Sequence, residues 1–209
     1  MDFRKVPIGL GILVCVAACF LDSIAALGLP GDGVGLNYHY GLFRQVLSDN
    51  RQKELPNPWI EGDSWLIPTG VSFTVPFGSG PLKAVLWDIA VPGAHRDIAN
   101  RLHLFGVEQP APAPEDGIDF DKTDIAHCLT SFLYPDDSDD DGRLLRVYQQ
   151  YFMVSAGAQL ILKELDERGV DPRQLCDHAA IPVNATPPPM VIPEPRLPLL
   201  GRGGSMDGG

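Results

Sequence analysis

The sequence predicts an α/β protein, and three observations carry that expectation. A run from Gly142 to about Arg168 holds apolar residues near helical spacing. Three apolar segments between residues 71 and 108 read as strands, two of them separated by "SGP", the signature of a hairpin. Hydrophobic residues make up 44% of the 209-residue chain, enough to bury a core as one domain or as a piece of a larger one. The formal charge of −11 argues against nucleic acid, whose binding rests on phosphate neutralisation by Lys and Arg. No stretch reaches the roughly 18 apolar residues that a membrane-spanning helix needs, and the run from Val6 to Leu21 ends at Asp22.

That first run has two readings. After the basic start "MDFRK", the apolar residues and "VAAC" before Phe20 look like a lipoprotein signal peptide. Alternatively "AACFLDSIAALG" opens an amphipathic helix, stopped by Gly28 and Pro30. Next, "GDGVGLNYHYGLF" suggests a tight turn leading into a buried segment, and "NPWIEGDSWLIPTG" a loop with two tryptophans. "VSFTVPFG", "LKAVLWDIAVPG" and "NRLHLFGVE" are the strand candidates. In "QPAPAPEDG" alternating prolines forbid helix and favour an extended linker. The long helix offers Leu144, Leu145, Tyr148, Tyr151, Phe152, Leu162 and Leu165 as its stripe. Gln159 interrupts that stripe, Asp141 can cap its start, and Gly169 before "VDP" stops it. "HAAIPVN" reads as a short strand, and from Pro182 onward proline and glycine dominate.

Most motifs have an ordinary explanation. "DDSDDDG" places Asp137, Asp139, Asp141 and Gly142 in the opening of a calcium loop. The twelfth position, which must be a bidentate Glu, is Tyr148, so the segment reads as a solvated acidic loop that caps the next helix. Cys15, Cys19, Cys128 and Cys176 form no CxxC pair and read as reduced, buried thiols. The five histidines are scattered and read as surface or satisfied core residues. Asn184 heads a glycosylation sequon that matters only in a secreted chain.

Two blocks of sequence reach further. "AACFLDSIAALGLPGDGVGLNYHYGLFRQ" resembles the α-1,4-glucan phosphorylases, the family of glycogen, starch and maltodextrin phosphorylases. The resemblance continues in order through "NPWIEGDSW", "NRLHLF", "SFLYPDDSDDDGRLLRVYQQYFMVSAGAQ" and "AAIPVNATPPPMVIPEP". It covers nearly the whole chain and corresponds to about a quarter of a family member, within the N-terminal domain. Ahead of the helix the family reads G-L-G-N-G-G-L-G-R, and residues 7–15 read "PIGLGILVC". Gly9, Gly11 and Leu13 match, whereas Leu10, Ile12, Val14 and Cys15 replace Asn, two glycines and Arg. The apolar run therefore reads as an altered glycine-rich loop rather than a cleaved signal, which makes a cytoplasmic parent the expectation. At the other end Pro182, Ala185, Pro187, Pro189 and Pro195 stand where the family has Gln, Asp, His, Ser and Leu. Each departure can arise from one base replaced by C, as in a partial gene read with deteriorated ends, with natural divergence of a pseudogene as the rival explanation.

The resemblance implies a partial Rossmann-like N-terminal domain within a two-domain glycosyltransferase architecture, containing a glycine-rich loop, a β-hairpin and a long helix. Its expected divisions are the altered loop at 1–16, the partial phosphorylase domain at 17–181, and the altered proline-rich end at 182–209. The activity implied is phosphorolysis of α-1,4-glucan by inorganic phosphate, in a homodimer. Pyridoxal 5'-phosphate would be attached through a lysine outside this chain. Gly11 and Leu13 match the phosphate and glucosyl loop, Asp137 the loop that gates the site, and Asn184 and Thr186 the N-D-T-H loop near the sugar. Ser138, Ala185 and Pro187 depart from those motifs, and no residue is singled out as catalytic. The competing reading is an exported, lipid-anchored binding module with an acidic loop.

Overall fold

The computed structural model describes residues 19–41, 44–57, 66–94, 99–115, 117–133 and 135–181. Among them runs a first helix, α1 (residues 19–27), followed by β1 (Gly33–Leu36). Next come β2 (Arg44–Ser48), β3 (Arg51–Leu55), β4 (Ile67–Val75), β5 (Leu82–Pro92) and β6 (Ala99–Val107). A short α2 (Ile125–Cys128), the long α3 (Asp140–Glu167), a 3-10 turn (Pro172–Gln174) and α4 (Leu175–His178) complete the chain. This is a mixed α/β arrangement, as the sequence predicts. No helix among the described residues is long and apolar enough to cross a membrane.

Four strands form one sheet in the order β1-β6-β5-β4. The pair β1–β6 is parallel and the others are antiparallel. In β5 the buried residues alternate, Ala84, Leu86 and Asp88, each opposite a buried residue of β6: Val107, Phe105 and His103. That period of two puts one face of the sheet against α3. Leu145, Phe152, Ala156 and Leu160 of α3 join Leu36, Val75, Leu86 and Phe105 in the core. Phe105 and Phe152 are fully buried, each contributing about 1.5–3 kcal/mol by removal from water.

The helix differs from its predicted stripe in an instructive way. Leu144 and Leu162 are 40% and 38% exposed, and the buried line is Leu145, Gln149, Phe152, Ala156 and Leu160. Two glutamines take part because backbone groups beside them need donors. Gln149 donates to the carbonyls of Leu129 (3.0 Å) and Phe132 (3.2 Å). Gln159 donates to the Thr74 carbonyl of β4 at 3.1 Å, on a strand that lies at the sheet edge. The helix ends as its glycine predicts. Gly169 has φ 68°, Gly169 N–H donates to Asp166 O and Val170 N–H to Leu165 O, a Schellman closure.

The first helix, the hairpin β4–β5, β6 and the loop through residues 109–115 stand where the sequence puts them. Gly28 ends α1 with φ 74°. The loop predicted through residue 70 is shorter than expected, because Ile67–Gly70 already belong to β4. Pro68 is tolerated there because β4 is an edge strand. The strand predicted from His178 is also corrected within the described residues. His178 closes α4 and residues 179–181 have no regular structure, while 182–184 lie outside the described residues. The β2–β3 hairpin was not predicted, since "RQVLS" and "RQKEL" show no alternation of apolar and polar residues. Its turn, Asp49–Asn50, has φ 50° and 57°, the doubly positive conformation of a two-residue hairpin loop.

Candidate functional site

The parallel strands give the sheet a carboxyl end, where ligands bind in open α/β sheets. Here Leu36 of β1 lies opposite Phe105 of β6. Helix α1 runs antiparallel to β1, because Gly31 faces Ile24 and Gly33 faces Leu21. The amino end of α1 therefore lies toward the carboxyl end of β1. The same holds for α3. Gly157 packs against Val34, whereas Gln149, two turns earlier, reaches residues 129 and 132. That last segment runs beside the continuation of β1: His39 N–H donates to Thr130 O and Tyr40 N–H to Ser131 O. Two helix amino ends and one strand end thus share one side of the molecule.

The acidic loop stands at this side and is tied together by its own charges. Asp136 accepts from the backbone N–H (3.1 Å) and hydroxyl (3.0 Å) of Ser138, and these bonds hold its carboxyl below the usual range. Asp139 caps α3, accepting from Gly142 N–H at 2.7 Å. Lys122, at 2.9 Å, is the larger cause of the lowered Asp139 pKa, and the Gly142 N–H adds to it. Asp137 pairs with Arg146, nearly two turns into the helix, and Asp140 with Arg143. The expectation that Asp141 caps the helix is therefore corrected. The chain enters the helix two residues before Gly142, and Asp139 is the residue with extended dihedrals whose side chain points back. Gly142 has to be glycine here: a Cβ would overlap the Asp136 carbonyl and lie 2.8 Å from Asp137 Cα. Tyr148, at the calcium loop's twelfth position, packs edge-on against Phe77 at 5.5 Å. Asp141 instead lines a cleft of 330 Å³ with Lys122, Phe77, Leu144 and Tyr148.

The polar core contains groups that the sequence did not single out. Asn37, 3% exposed, has no hydrogen-bond partner for Oδ1, and Nδ1 of His39 likewise has none. Both follow β1 at its carboxyl end. His103 sits in the middle of β6, with Nδ1 2.7 Å from Asp88 Oδ1, while Nε2 makes no hydrogen bond and stands 3.9 Å from Asp32 Oδ2. The reading of the histidines as satisfied core or surface residues is thus corrected for His39 and His103. The thiols are also corrected: Cys128 is buried and its pKa is raised by burial, but Cys19 and Cys176 are exposed. Cys15 lies outside the described residues.

Comparison with known proteins decides the family. The model of the carbohydrate phosphorylases matches residues 4–201. The chain belongs to the carbohydrate phosphorylase family. It is 52% identical over 201 residues to the maltodextrin phosphorylase of Streptococcus pneumoniae, covering 96% of this chain and 27% of that protein. To the glycogen phosphorylases of Haemophilus influenzae and Bacillus subtilis it is 36% and 35% identical, over 90% of this chain and 26% of each relative. The chain spans about a quarter of the length of these relatives. Nothing in these comparisons favours an exported binding module.

Of the phosphorylase-matching residues, the structure places Asp137, on the loop before α3 and paired with Arg146. Gly11, Leu13, Asn184 and Thr186 lie outside the described residues. Arg146 and Lys122, which hold the loop, were missed. Arg146 left a signal, nine residues after an aspartate and nearly two turns inside the capped helix, but Lys122 is brought in only by tertiary folding.

Proposed function

We propose that this chain supplies part of the N-terminal domain of a glucan phosphorylase. The observation that supports it best is the ordered match to phosphorylases over nearly the whole chain, with 52% identity to a maltodextrin phosphorylase. In this reading residues 17–181 belong to a Rossmann-like half of a two-domain enzyme, with 1–16 and 182–209 as its altered flanks. The reaction is attack of inorganic phosphate on the terminal α-1,4 glucosyl unit of glycogen or maltodextrin, releasing glucose 1-phosphate. Positive charge develops at the sugar, so the site must present fixed dipoles and exclude water, which would otherwise hydrolyse the glucan.

The residues assigned to that work are those that match the family's motifs. In this reading Gly11 and Leu13, which match the phosphate and glucosyl motif, offer backbone N–H groups to phosphate. Asp137 belongs to the gating loop, and its pairing with Arg146 holds the loop against α3. Asn184 and Thr186 approach the sugar. Pyridoxal phosphate supplies a phosphate group that exchanges protons with the substrate phosphate. Its lysine is not among the described residues. Lys83, Lys122 and Lys163 each hold a carboxylate, and Lys53 stands on the exposed β2–β3 hairpin. Lys122 lines the 330 Å³ cleft, where Asp136 and Asp139 hold its ammonium group. The parent is read as a cytoplasmic homodimer.

The test is an assay of the full-length gene product with maltoheptaose and inorganic phosphate, before and after removal of pyridoxal phosphate. Glucose 1-phosphate that disappears with the cofactor is expected. A product of free glucose, or none at all, overturns the assignment.

A further inference from the structure

The acidic loop carries more negative charge than the helix behind it neutralises. Asp136, Asp137, Asp139, Asp140 and Asp141 fall within six residues, and the first two turns of α3 answer with Arg143 and Arg146. Those arginines take Asp140 and Asp137. They stand on the same helix as the loop's end, so they fix its shape against α3 and tie it to nothing beyond. Asp136 and Asp139 are left, and their like charges oppose each other. Lys122 answers both from outside the helix. Its Nζ stands 2.9 Å from Asp139 Oδ2 and 3.9 Å from Asp136 Oδ2, with the side chain only 17% exposed. The backbone that carries Lys122 is fixed on either side. Phe120 stacks on buried Phe132 at 5.5 Å, Asp121 accepts from the N–H (2.9 Å) and hydroxyl (2.7 Å) of Thr123, and Ile125 belongs to the core. One ammonium group thus joins both ends of the loop to a rigid support.

We propose that Lys122 is a positioning residue, whose ammonium group latches the loop 136–139 by its two ends and so sets where Asp137 stands. The inference rests on the phosphorylase reading for the loop's part in the reaction, and on the ion pairs for the latch. Ion pairs between partly exposed groups contribute modestly, so thermal motion opens such a latch often. A loop in place for only a fraction of the time weakens substrate binding by that fraction, and saturating substrate restores it. Loss of the latch is therefore felt in KM and not in kcat. Salt weakens the same contact, because charges near the surface are screened.

The test uses the full-length gene product in two arms. Hydrogen exchange read by mass spectrometry follows the amides of 136–142 without any turnover. In the wild type their exchange should quicken about fivefold between about 0.05 M and about 0.5 M sodium chloride, while peptides of β5 and β6 stay as they are. Lys122→Met, which keeps an unbranched apolar chain and loses the charge, should exchange fast already at low salt and respond to salt much less. Lys122→Arg should restore slow exchange. In kinetics at low salt, Lys122→Met should raise the KM for maltoheptaose about fivefold with kcat unchanged, and Lys122→Arg should return it toward wild type. Lys83→Met, which removes the exposed pair with Glu108, is the control and should do neither. Exchange in the wild type that ignores salt overturns the latch, even if the methionine variant does not fold. Faster exchange with an unchanged KM, or with an equal fall in kcat, leaves a structural ion pair and overturns the positioning role. A wild type that forms no glucose 1-phosphate refutes the phosphorylase reading instead. Salt-dependent exchange that is lost in Lys122→Met then still supports the latch.

Discussion

At the scale of single residues, Asp139 joins two parts of the molecule: it caps α3 through Gly142 N–H and holds Lys122 of the preceding loop. Asp139→Ala should lower the melting temperature, and Asp139→Asn, which keeps the capping oxygen and loses the charge, should lower it less. The pH dependence follows from the direction of the shifts. Asp136 and Asp139 have folded pKa values below the usual 3.8, so the native state holds fewer protons than the unfolded chain in that range. Their stabilising contribution is complete above the unfolded value, near pH 4, and is lost as pH falls through the lower folded values. Calorimetry from pH 6 to pH 2.5 should show a steeper loss in the wild type than in Asp139→Asn; equal slopes would remove Asp139 from the account. Gly142→Ala meets a backbone with nowhere to go, since the new Cβ overlaps the Asp136 carbonyl. A loss of about 3 kcal/mol, the upper range of overpacking, is expected in urea titration. A variant as stable as wild type would mean that the loop relaxes freely.

The elements are tied together by polar groups as well as by apolar area. Helix α3 is 28 residues long, and its inner line includes Gln149, whose amide serves two carbonyls of the segment beside β1. Gln149→Leu fits the stripe that periodicity asks for, yet it leaves the Leu129 and Phe132 carbonyls without a donor. A loss of about 1–3 kcal/mol is expected for those stranded buried groups. If urea denaturation instead shows Gln149→Leu to be as stable as wild type, the carbonyls have found other donors. Gln159 does the equivalent for the Thr74 carbonyl of β4, the strand at one edge of the sheet among the described residues. On the far side, β1 approaches α3 so closely that a Cβ at Gly157 would stand only 3.1 Å from Val34 Cγ1. Glycine in mid-helix is disfavoured on propensity, so close packing is the reason it stands there.

For the molecule as a whole, the surface is uneven. Phe20, Leu27 and Leu29 near α1 are 65%, 67% and 52% exposed, and Leu47 on the β2–β3 hairpin is 85% exposed. The four-stranded sheet also has open edges at β1 and β4 among the described residues. Apolar patches and unpaired strand edges both favour association. Expressed on its own, this chain is expected to bind a hydrophobic dye and to self-associate at micromolar concentration, and to form no glucose 1-phosphate. One domain does not enclose a water-free cleft, and rate depends on reactants held in register. Light scattering after size exclusion provides the check. A monodisperse monomer without dye binding would contradict the reading of these surfaces as incomplete.

Local chemistry was enough for much of this. A helix with a glycine stop, strands with period-two burial and a hairpin between them depend on neighbours within a few residues, and they stand where the sequence puts them. The family was legible for a related reason, since "AACFLDS" and the "LYPDDSDDDGRLLRVYQQYF" block are long ordered strings rather than isolated matches. Sequence also marked Asp137 but could not say what holds it. Tertiary folding decided the rest. The polar β2–β3 hairpin is set by a turn whose two residues adopt positive φ, and Gln149 and Gln159 are buried or anchored because distant carbonyls need donors. Lys122 reaches Asp139 only once the chain has folded, and Asn37 Oδ1 and His39 Nδ1 are left without hydrogen bonds only once packing has buried them. Periodicity reports which side of an element faces inward; which polar atoms find partners there depends on segments far away in the chain, and that is why the fold class was readable and the polar detail of the site was not.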